Sequence, residues 1–149
     1  MRDQPVVQNI SERLWKLAED CTYEWHIGDK KFSITVKAGF ITDLASVPII
    51  FWSLGFTPTG LVDLGSVVHD ALYNGNGTVL EKDGIFLLNG QPFTGHFTRN
   101  ECDRLFLRIN KESGLSYSKR YIMYWALYGF GWIKWNQFGA ALKKQKNKS

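Results

Sequence analysis

The hydrophobic pattern changes its period along the chain, and this change restricts the folds that the chain can adopt. In residues 32–36 apolar side chains alternate with polar ones, which is typical of a β-strand with one buried face. Further on, apolar residues recur at helical spacing, at Leu61, Leu64, Val68 and Leu72. Strands followed by helices predict an α+β fold with an N-terminal antiparallel sheet and a helical layer.

Local signals give approximate bounds for these elements. Strands are expected at residues 13–17, 22–27 and 32–36, and a small β-hairpin insertion at residues 78–95, with its turn at residues 82–84. Helices are expected at residues 61–73, 98–114 and 118–142, the last bent near residues 129–131. Asn74-Gly75-Asn76-Gly77 should end the first helix, and Thr98 with Glu101 should form a capping box for the second.

The net charge of +4 comes from the end of the chain. The chain has 149 residues, with 18 basic and 14 acidic side chains, and four of the lysines lie within residues 143–148. Without them the basic and acidic residues balance, so we expect a single neutral domain at 1–142 and a basic tail at 143–149. A charge excess outside the folded body argues against nucleic acid and favours a membrane surface or an acidic protein as partner.

Membrane and disulfide signals are weak. Residues 1–12 lack the apolar core of a signal peptide, and the aromatic-rich stretch at 121–135 is shorter than the roughly 20 apolar residues of a spanning helix. The two cysteines, Cys21 and Cys102, form neither a disulfide framework nor a zinc pattern. We therefore expect neither a signal peptide nor a transmembrane helix.

Four polar residues on the predicted helices could carry chemistry. His69 and Tyr73 are four residues apart on one helix face, with Asp70 about 100° around the helix from His69. Asp103 lies beside the apolar stripe of the second helix, so packing of the two helices could bring it to His69. A carboxylate on one imidazole nitrogen would leave the other free to take a proton from water, and Asp70 could hold a hard cation. The alternative is a buried polar network that fixes helix pairing.

His69-Asp70-x-x-Tyr73 followed by Cys102-Asp103-Arg104 resembles the paired-helix signature of phospholipase A2 enzymes. The resemblance implies that His69 is the general base, Asp103 its orienting partner, Tyr73 a supporting hydrogen-bonder and Asp70 a calcium ligand. Gly55 and Gly60 lie in the candidate for the calcium-binding loop. Asp43 and Ser46 are further candidates to line the site, and an approach of Asp43 would make it rich in carboxylates.

Three ordered motifs over residues 38–106 are also similar to an uncharacterised phage and prophage family. These are Gly39-Phe40-x-Thr42-Asp43-x-Ala45-Ser46-x-Pro48, His69-Asp70-x-Leu72-Tyr73 and Asp103-x-x-Phe106. That resemblance implies a bacteriophage source, with the protein in the virion or the host cytoplasm. The expected function is a phage-encoded phospholipase A2-like hydrolase that uses calcium at a lipid surface. The alternatives are a structural or accessory phage protein that binds another phage protein, and an inhibitor of a host factor.

The aromatic segment at 121–135 has two interpretations. Its rings could pack on the core or on a protein partner, or Trp125, Trp132 and Trp135 could lie at the headgroup level of a membrane beside the lysine tail. Two weaker catalytic patterns are Ser46 as a nucleophile with His69, and His96-x-Thr98 paired with His26 as in two-histidine phosphoesterases.

Overall fold

The structure is a computed structural model that describes residues 5–11, 14–43, 64–112, 114 and 117–148. In chain order its elements are β1 (Val7–Ser11), β2 (Leu14–Leu17), β3 (Cys21–Ile27), β4 (Lys30–Val36), β5 (Ile41–Asp43), α1 (Leu64–Asn74), β6 (Gly84–Leu88), β7 (Gln91–Pro92), α2 (Arg99–Glu112) and α3 (Tyr117–Lys148). Antiparallel strands with helices in separate segments confirm the α+β class.

The described strands form two sheets, whereas the sequence predicts one N-terminal sheet. The smaller sheet has the order β1-β2-β5, and the larger has the order β3-β4-β6-β7. Leu17 and the turn before β5 join them, because the Leu17 amide donates to the Phe40 carbonyl at 2.8 Å and the Gly39 amide donates to the Leu17 carbonyl at 2.7 Å. The chain thus leaves the small sheet, forms the β3–β4 hairpin and returns to add β5.

The alternation in β4 is confirmed, since Phe32, Ile34 and Val36 are all buried. Trp25 of β3 lies opposite Phe32, and the two rings stack with centroids 5.1 Å apart. The rest of this aromatic core comes from distant segments: Phe86, Phe93 and Phe97. The larger sheet therefore presents one apolar aromatic face to the helices.

The predicted hairpin forms with a different partner. Residues 79–80 are not a strand, because the Asp83 and Gly84 amides both donate to the Leu80 carbonyl and make a turn there. Instead β6 pairs with β7 across Asn89 and Gly90, which both have positive φ and suit a two-residue hairpin turn. Ile34 of β4 also faces Phe86 of β6, so this segment is an integral part of the larger sheet and not an insertion.

Helix α1 occupies the centre of the molecule. Every residue from Leu64 to Tyr73 is buried, and not only the apolar residues that recur at helical spacing. It packs against α2, α3, β3, β4 and β5. The Asn-Gly-Asn-Gly segment ends it as expected, and the Gly77 amide bonds back to the Leu72 carbonyl at 2.9 Å. Polar residues on different faces of α1 are consequently all enclosed.

Helices α2 and α3 both pack against α1. The capping box of α2 is confirmed, with the Thr98 amide 3.0 Å from Glu101 Oε1 and the Glu101 amide 3.2 Å from Thr98 Oγ1. Helix α3 is continuous through residues 129–131, where the bend stays a prediction, and it extends to Lys148, so most of the lysine-rich segment is helical. Within the described residues, none of the helices is long and apolar enough to cross a membrane.

Candidate functional site

His69 of α1 and Asp103 of α2 meet where the two helices pack together. His69 Nε2 lies 2.8 Å from Asp103 Oδ1, and the two residues are only 5% and 1% exposed. Because a carboxylate accepts, Nε2 is the nitrogen that carries the hydrogen, and the neutral ring then has its lone pair on Nδ1. No described residue forms a hydrogen bond with Nδ1. The contact with Asp103 thus orients the imidazole, and its second nitrogen, Nδ1, has no hydrogen-bond partner among the described residues.

Tyr73 is the second donor to the same carboxylate oxygen. Its hydroxyl lies 2.5 Å from Asp103 Oδ1, and its ring is 4.1 Å from the His69 ring between centroids. Burial raises the pKa of the Tyr73 hydroxyl far above its usual value, and the negative charge of Asp103 raises it further. Tyr73 therefore remains a neutral donor, and Asp103 Oδ1 binds two residues one helical turn apart on α1.

Arg99 and Phe106 of α2 also contact this pair. Arg99 lies one turn before Asp103 on α2, and its guanidinium is 4.0 Å from Asp103 Oδ2. The Phe106 ring meets the His69 ring edge-on, with centroids 5.2 Å apart. The arginine thus places a positive charge beside the carboxylate, and the phenyl ring excludes water from one side of the imidazole.

Asp70 forms a separate contact on another face of α1. Its Oδ2 accepts a hydrogen bond from the hydroxyl of Thr42 in β5, and both residues are buried. The buried polar residues thus extend from α2 through α1 to the smaller sheet. Sequence reasoning did not single out Thr42, although it stands directly before Asp43 in the first of the three motifs.

The calcium expectation depends on Asp70. No group of three or more His, Cys, Asp or Glu side chains that could hold a metal occurs in the described part of the chain. The carboxylate of Asp70 and the hydroxyl of Thr42 are hard oxygen donors of the type that Ca²⁺ takes, but the ion takes six to eight ligands. Asp70 and Thr42 therefore fit the ion in chemistry, and further ligands would have to come from water or from other parts of the chain.

Some of the other expected site residues lie outside the described part of the chain, and the rest lie away from the His69 network or belong to it. Ser46, Gly55 and Gly60 lie outside the described residues. The role of Ser46 as a nucleophile therefore stays a prediction. Asp43 ends β5, where its backbone lies opposite Leu14 in the register with β2. His26 and His96 are both exposed on the surface. Of the expected residues, the structure brings together His69, Tyr73 and Asp103 in one network, with Asp70 next to His69 in the chain.

The three tryptophans of α3 do not share one surface. Trp125 and Trp132 are 60% and 51% exposed, and their spacing of seven residues puts them on the same helix face. Trp135 instead packs its ring edge against Tyr73, with centroids 5.2 Å apart, and its carbonyl accepts a bond from Asn76. Trp135 therefore belongs to the wall of the site, while Trp125 and Trp132 remain a surface pair.

Comparison with known proteins gives a family and no described activity. No curated protein and no solved structure matches the chain. A family model matches residues 15–127, about three quarters of the chain, and this range contains His69, Asp70, Tyr73 and Asp103. The chain therefore belongs to the family described as "Protein of unknown function (DUF1353)".

Proposed function

We propose that the chain is a hydrolase of the phospholipase A2 type, in which His69 acts as a general base on a lipid ester. The observation that carries this proposal is the 2.8 Å contact between His69 Nε2 and Asp103 Oδ1, which leaves Nδ1 without a partner among the described residues. An imidazole held at one nitrogen by a buried carboxylate is suited to remove a proton from water near neutral pH.

In the proposed reaction Nδ1 of His69 takes a proton from a water molecule. The resulting hydroxide attacks the ester carbonyl carbon and forms a tetrahedral intermediate. The bond from that carbon to the alcohol oxygen then breaks, and the imidazolium returns its proton to the leaving alkoxide. The products are a free carboxylic acid and an alcohol, and His69 is regenerated as the neutral base.

Asp103 and Tyr73 support His69 in this mechanism. The imidazolium that forms is stabilised by the adjacent carboxylate, whose charge is only weakly screened because the pair is buried. The Tyr73 hydroxyl and the Arg99 guanidinium hold the carboxylate in place. Tyr73 and Arg99 are thus positioning residues, and His69 is the proposed catalytic residue.

Calcium remains part of the proposal through Asp70. Asp70 would hold the ion by a carboxylate oxygen, with the hydroxyl of Thr42 beside it. A calcium ion bound there would supply positive charge to the oxyanion of the intermediate.

A lipid surface is the proposed location of the substrate. Trp125 and Trp132 share one exposed face of α3, and Lys143 and Lys144 are exposed near its C-terminal end. Aromatic rings at headgroup level and lysines near anionic lipids are a common combination in proteins that lie on membranes. We further propose a bacteriophage source, with the protein in the virion or the host cytoplasm.

The test is fatty acid release from anionic phospholipid vesicles, with calcium and with a chelator, by three forms of the protein. Wild type and His26→Gln, which changes an exposed histidine, should release fatty acid at the same rate. His69→Gln should be at least about 100-fold slower, the usual contribution of a general base, with unchanged circular dichroism. Chelation should slow the wild type if Asp70 holds calcium. Equal release by His69→Gln and wild type would contradict the proposal.

A second candidate function is favoured by the burial of the network. His69, Asp70, Tyr73 and Asp103 are each at most 7% exposed, which suits a polar cluster that fixes how α1 packs. The protein would then be a non-enzymatic structural or accessory phage protein, with α3 contacting another phage protein. In that case wild type releases no fatty acid, and His69→Gln shows only a loss of stability.

A further inference from the structure

A groove lies between the end of β3 and the outer face of α2, away from the His69 site. Its volume is about 190 Å³, and its apolar lining comes from Trp25, Ile27, Phe97 and Leu105. Arg104 follows Asp103 directly in α2, so the two side chains project about 100° apart and the groove faces away from Asp103. The groove therefore does not depend on the proposed hydrolase function.

Two cations and one anion line the rim of this groove, and one of the cations has no partner among the described residues. Glu101, Arg104 and Arg108 line it from α2, three or four residues apart and hence on one helix face. The Glu101 carboxylate keeps its charge and accepts a hydrogen bond from the amide of Thr98 in the capping box. Arg108 forms an ion pair with Glu112 at 3.3 Å. Arg104 is exposed, and within the described residues its guanidinium has neither a hydrogen bond nor an ion pair.

The size and lining restrict what the groove could hold. A cavity of roughly 150 Å³ with apolar walls accepts a benzene molecule, so about 190 Å³ fits one aromatic ring with a short substituent. A guanidinium binds a carboxylate through two parallel hydrogen bonds. An apolar recess with a free arginine at its rim is complementary to a ring that carries a carboxylate.

We propose that the groove binds a small aromatic carboxylate, with the ring against Phe97 and Leu105 and the carboxylate on Arg104. Trp25 is one of the residues that line the groove, and it is also part of the aromatic core. Its indole group therefore reports on occupancy of the groove without losing its own packing.

The test is a titration of the ¹⁵N-labelled full chain with 3-phenylpropionate, followed by NMR. Saturable shifts should appear at the Trp25 indole and at the backbone amides of Phe97, Arg104 and Leu105. The uncharged 3-phenylpropanol has the same ring and chain length, and it should bind about five- to tenfold more weakly, as expected for loss of one partly exposed charge-assisted pair.

Variants of single cationic residues distinguish binding in this groove from a nonspecific attraction of 3-phenylpropionate to a basic protein. Arg104→Gln should weaken 3-phenylpropionate about five- to tenfold, and Arg104→Lys should weaken it less. Lys111→Gln, which removes an exposed cation elsewhere on α2, should leave it unchanged. Equal binding of acid and alcohol, equal binding by Arg104→Gln and wild type, or shifts that never saturate would each overturn the proposal.

Discussion

Thr42 donates a hydrogen bond to Asp70, and this contact attaches the smaller sheet to the buried helix α1. The two residues are 28 positions apart and are 2% and 7% exposed. A carboxylate so enclosed depends on protein donors, because little water reaches it. The contact is therefore part of the stability of the fold, whatever chemistry Asp70 performs.

Thr42→Val should lower the free energy of unfolding by about 1–3 kcal/mol, because valine keeps the shape of threonine but removes a donor to a buried carboxylate. Urea denaturation measures the change. Thr22→Val is the matched control, since the hydroxyls of Thr22 and Thr35 bond at 2.8 Å in an exposed position. That variant should stay within about 0.5 kcal/mol of wild type. Equal losses in the two variants would contradict the role given to Thr42.

Tyr73→Phe should lower the free energy of unfolding by about 1.5–3 kcal/mol, because among the described residues Asp103 Oδ1 then keeps only His69 as a close donor. In Tyr23→Phe the carboxylate that loses its tyrosine donor is that of Glu112, whose side chain is 30% exposed and can bind water instead. We expect a loss below about 1 kcal/mol there. If the chain is a hydrolase, Tyr73→Phe should retain more fatty acid release than His69→Gln. A greater loss in Tyr23→Phe than in Tyr73→Phe would argue against the network.

Alkaline pH should destabilise the fold through Cys102 and Tyr73. Burial raises the pKa of the Cys102 thiol, and the neighbouring charge of Asp103 raises it further. Above about pH 8.5 for the thiol and about pH 10 for the phenol, the unfolded chain loses these protons while the folded chain keeps them. The folded state then binds more protons, so the free energy of unfolding falls as pH rises.

The expected slope is about 1.4 kcal/mol per pH unit for each such group. Urea denaturation of wild type and Cys102→Ala from pH 7 to 10 measures it. Cys102→Ala should show a shallower fall above about pH 8.5, whatever its stability at pH 7. Identical slopes in the two proteins would show that Cys102 does not keep its proton in the folded state.

The double variant Trp125→Ser/Trp132→Ser should bind anionic vesicles about tenfold more weakly, because two exposed rings no longer enter the headgroup region. Sedimentation with vesicles measures this. Lys143→Gln/Lys144→Gln should also weaken binding, and the effect should disappear at high salt. Ile85→Ser removes an exposed apolar side chain of β6 and serves as the control. Unchanged vesicle binding in the tryptophan variant would remove the support for a lipid surface.

Local patterns predicted much of this structure. The alternation in β4, the stop at Asn74-Gly75-Asn76-Gly77 and the capping box at Thr98 each depend on residues that are close in the chain. Hydrogen bonds within a turn or cap are formed by neighbours, so these signals do not require knowledge of the rest of the fold. The i,i+4 placement of His69 and Tyr73 is of the same kind, and both do reach Asp103.

Pairings between distant segments were less predictable. The sequence predicts a local hairpin at residues 78–95, whereas in the structure β6 also pairs with β4, a strand far from it in the chain, with Ile34 opposite Phe86. Aromatic residues are dense along α3, yet the aromatic core is built from rings dispersed between Trp25 and Phe97. A high density of aromatic residues in one segment describes only residues that are close in the chain. The core is formed by residues that are far apart in the chain, so this density does not predict it.

The sequence by itself determined the three described helices, the strands β2, β3 and β4, the α+β class and the helix face that carries His69 and Tyr73. Tertiary structure alone decided that α1 is enclosed on every side, that Asp70 reaches Thr42 of β5, and that Trp135 packs on Tyr73 while Trp125 and Trp132 remain outside. The physical reason is that periodicity specifies which residues share a face, whereas burial depends on which other elements pack against that face. For α1, strands on one side and two helices on the other covered every face.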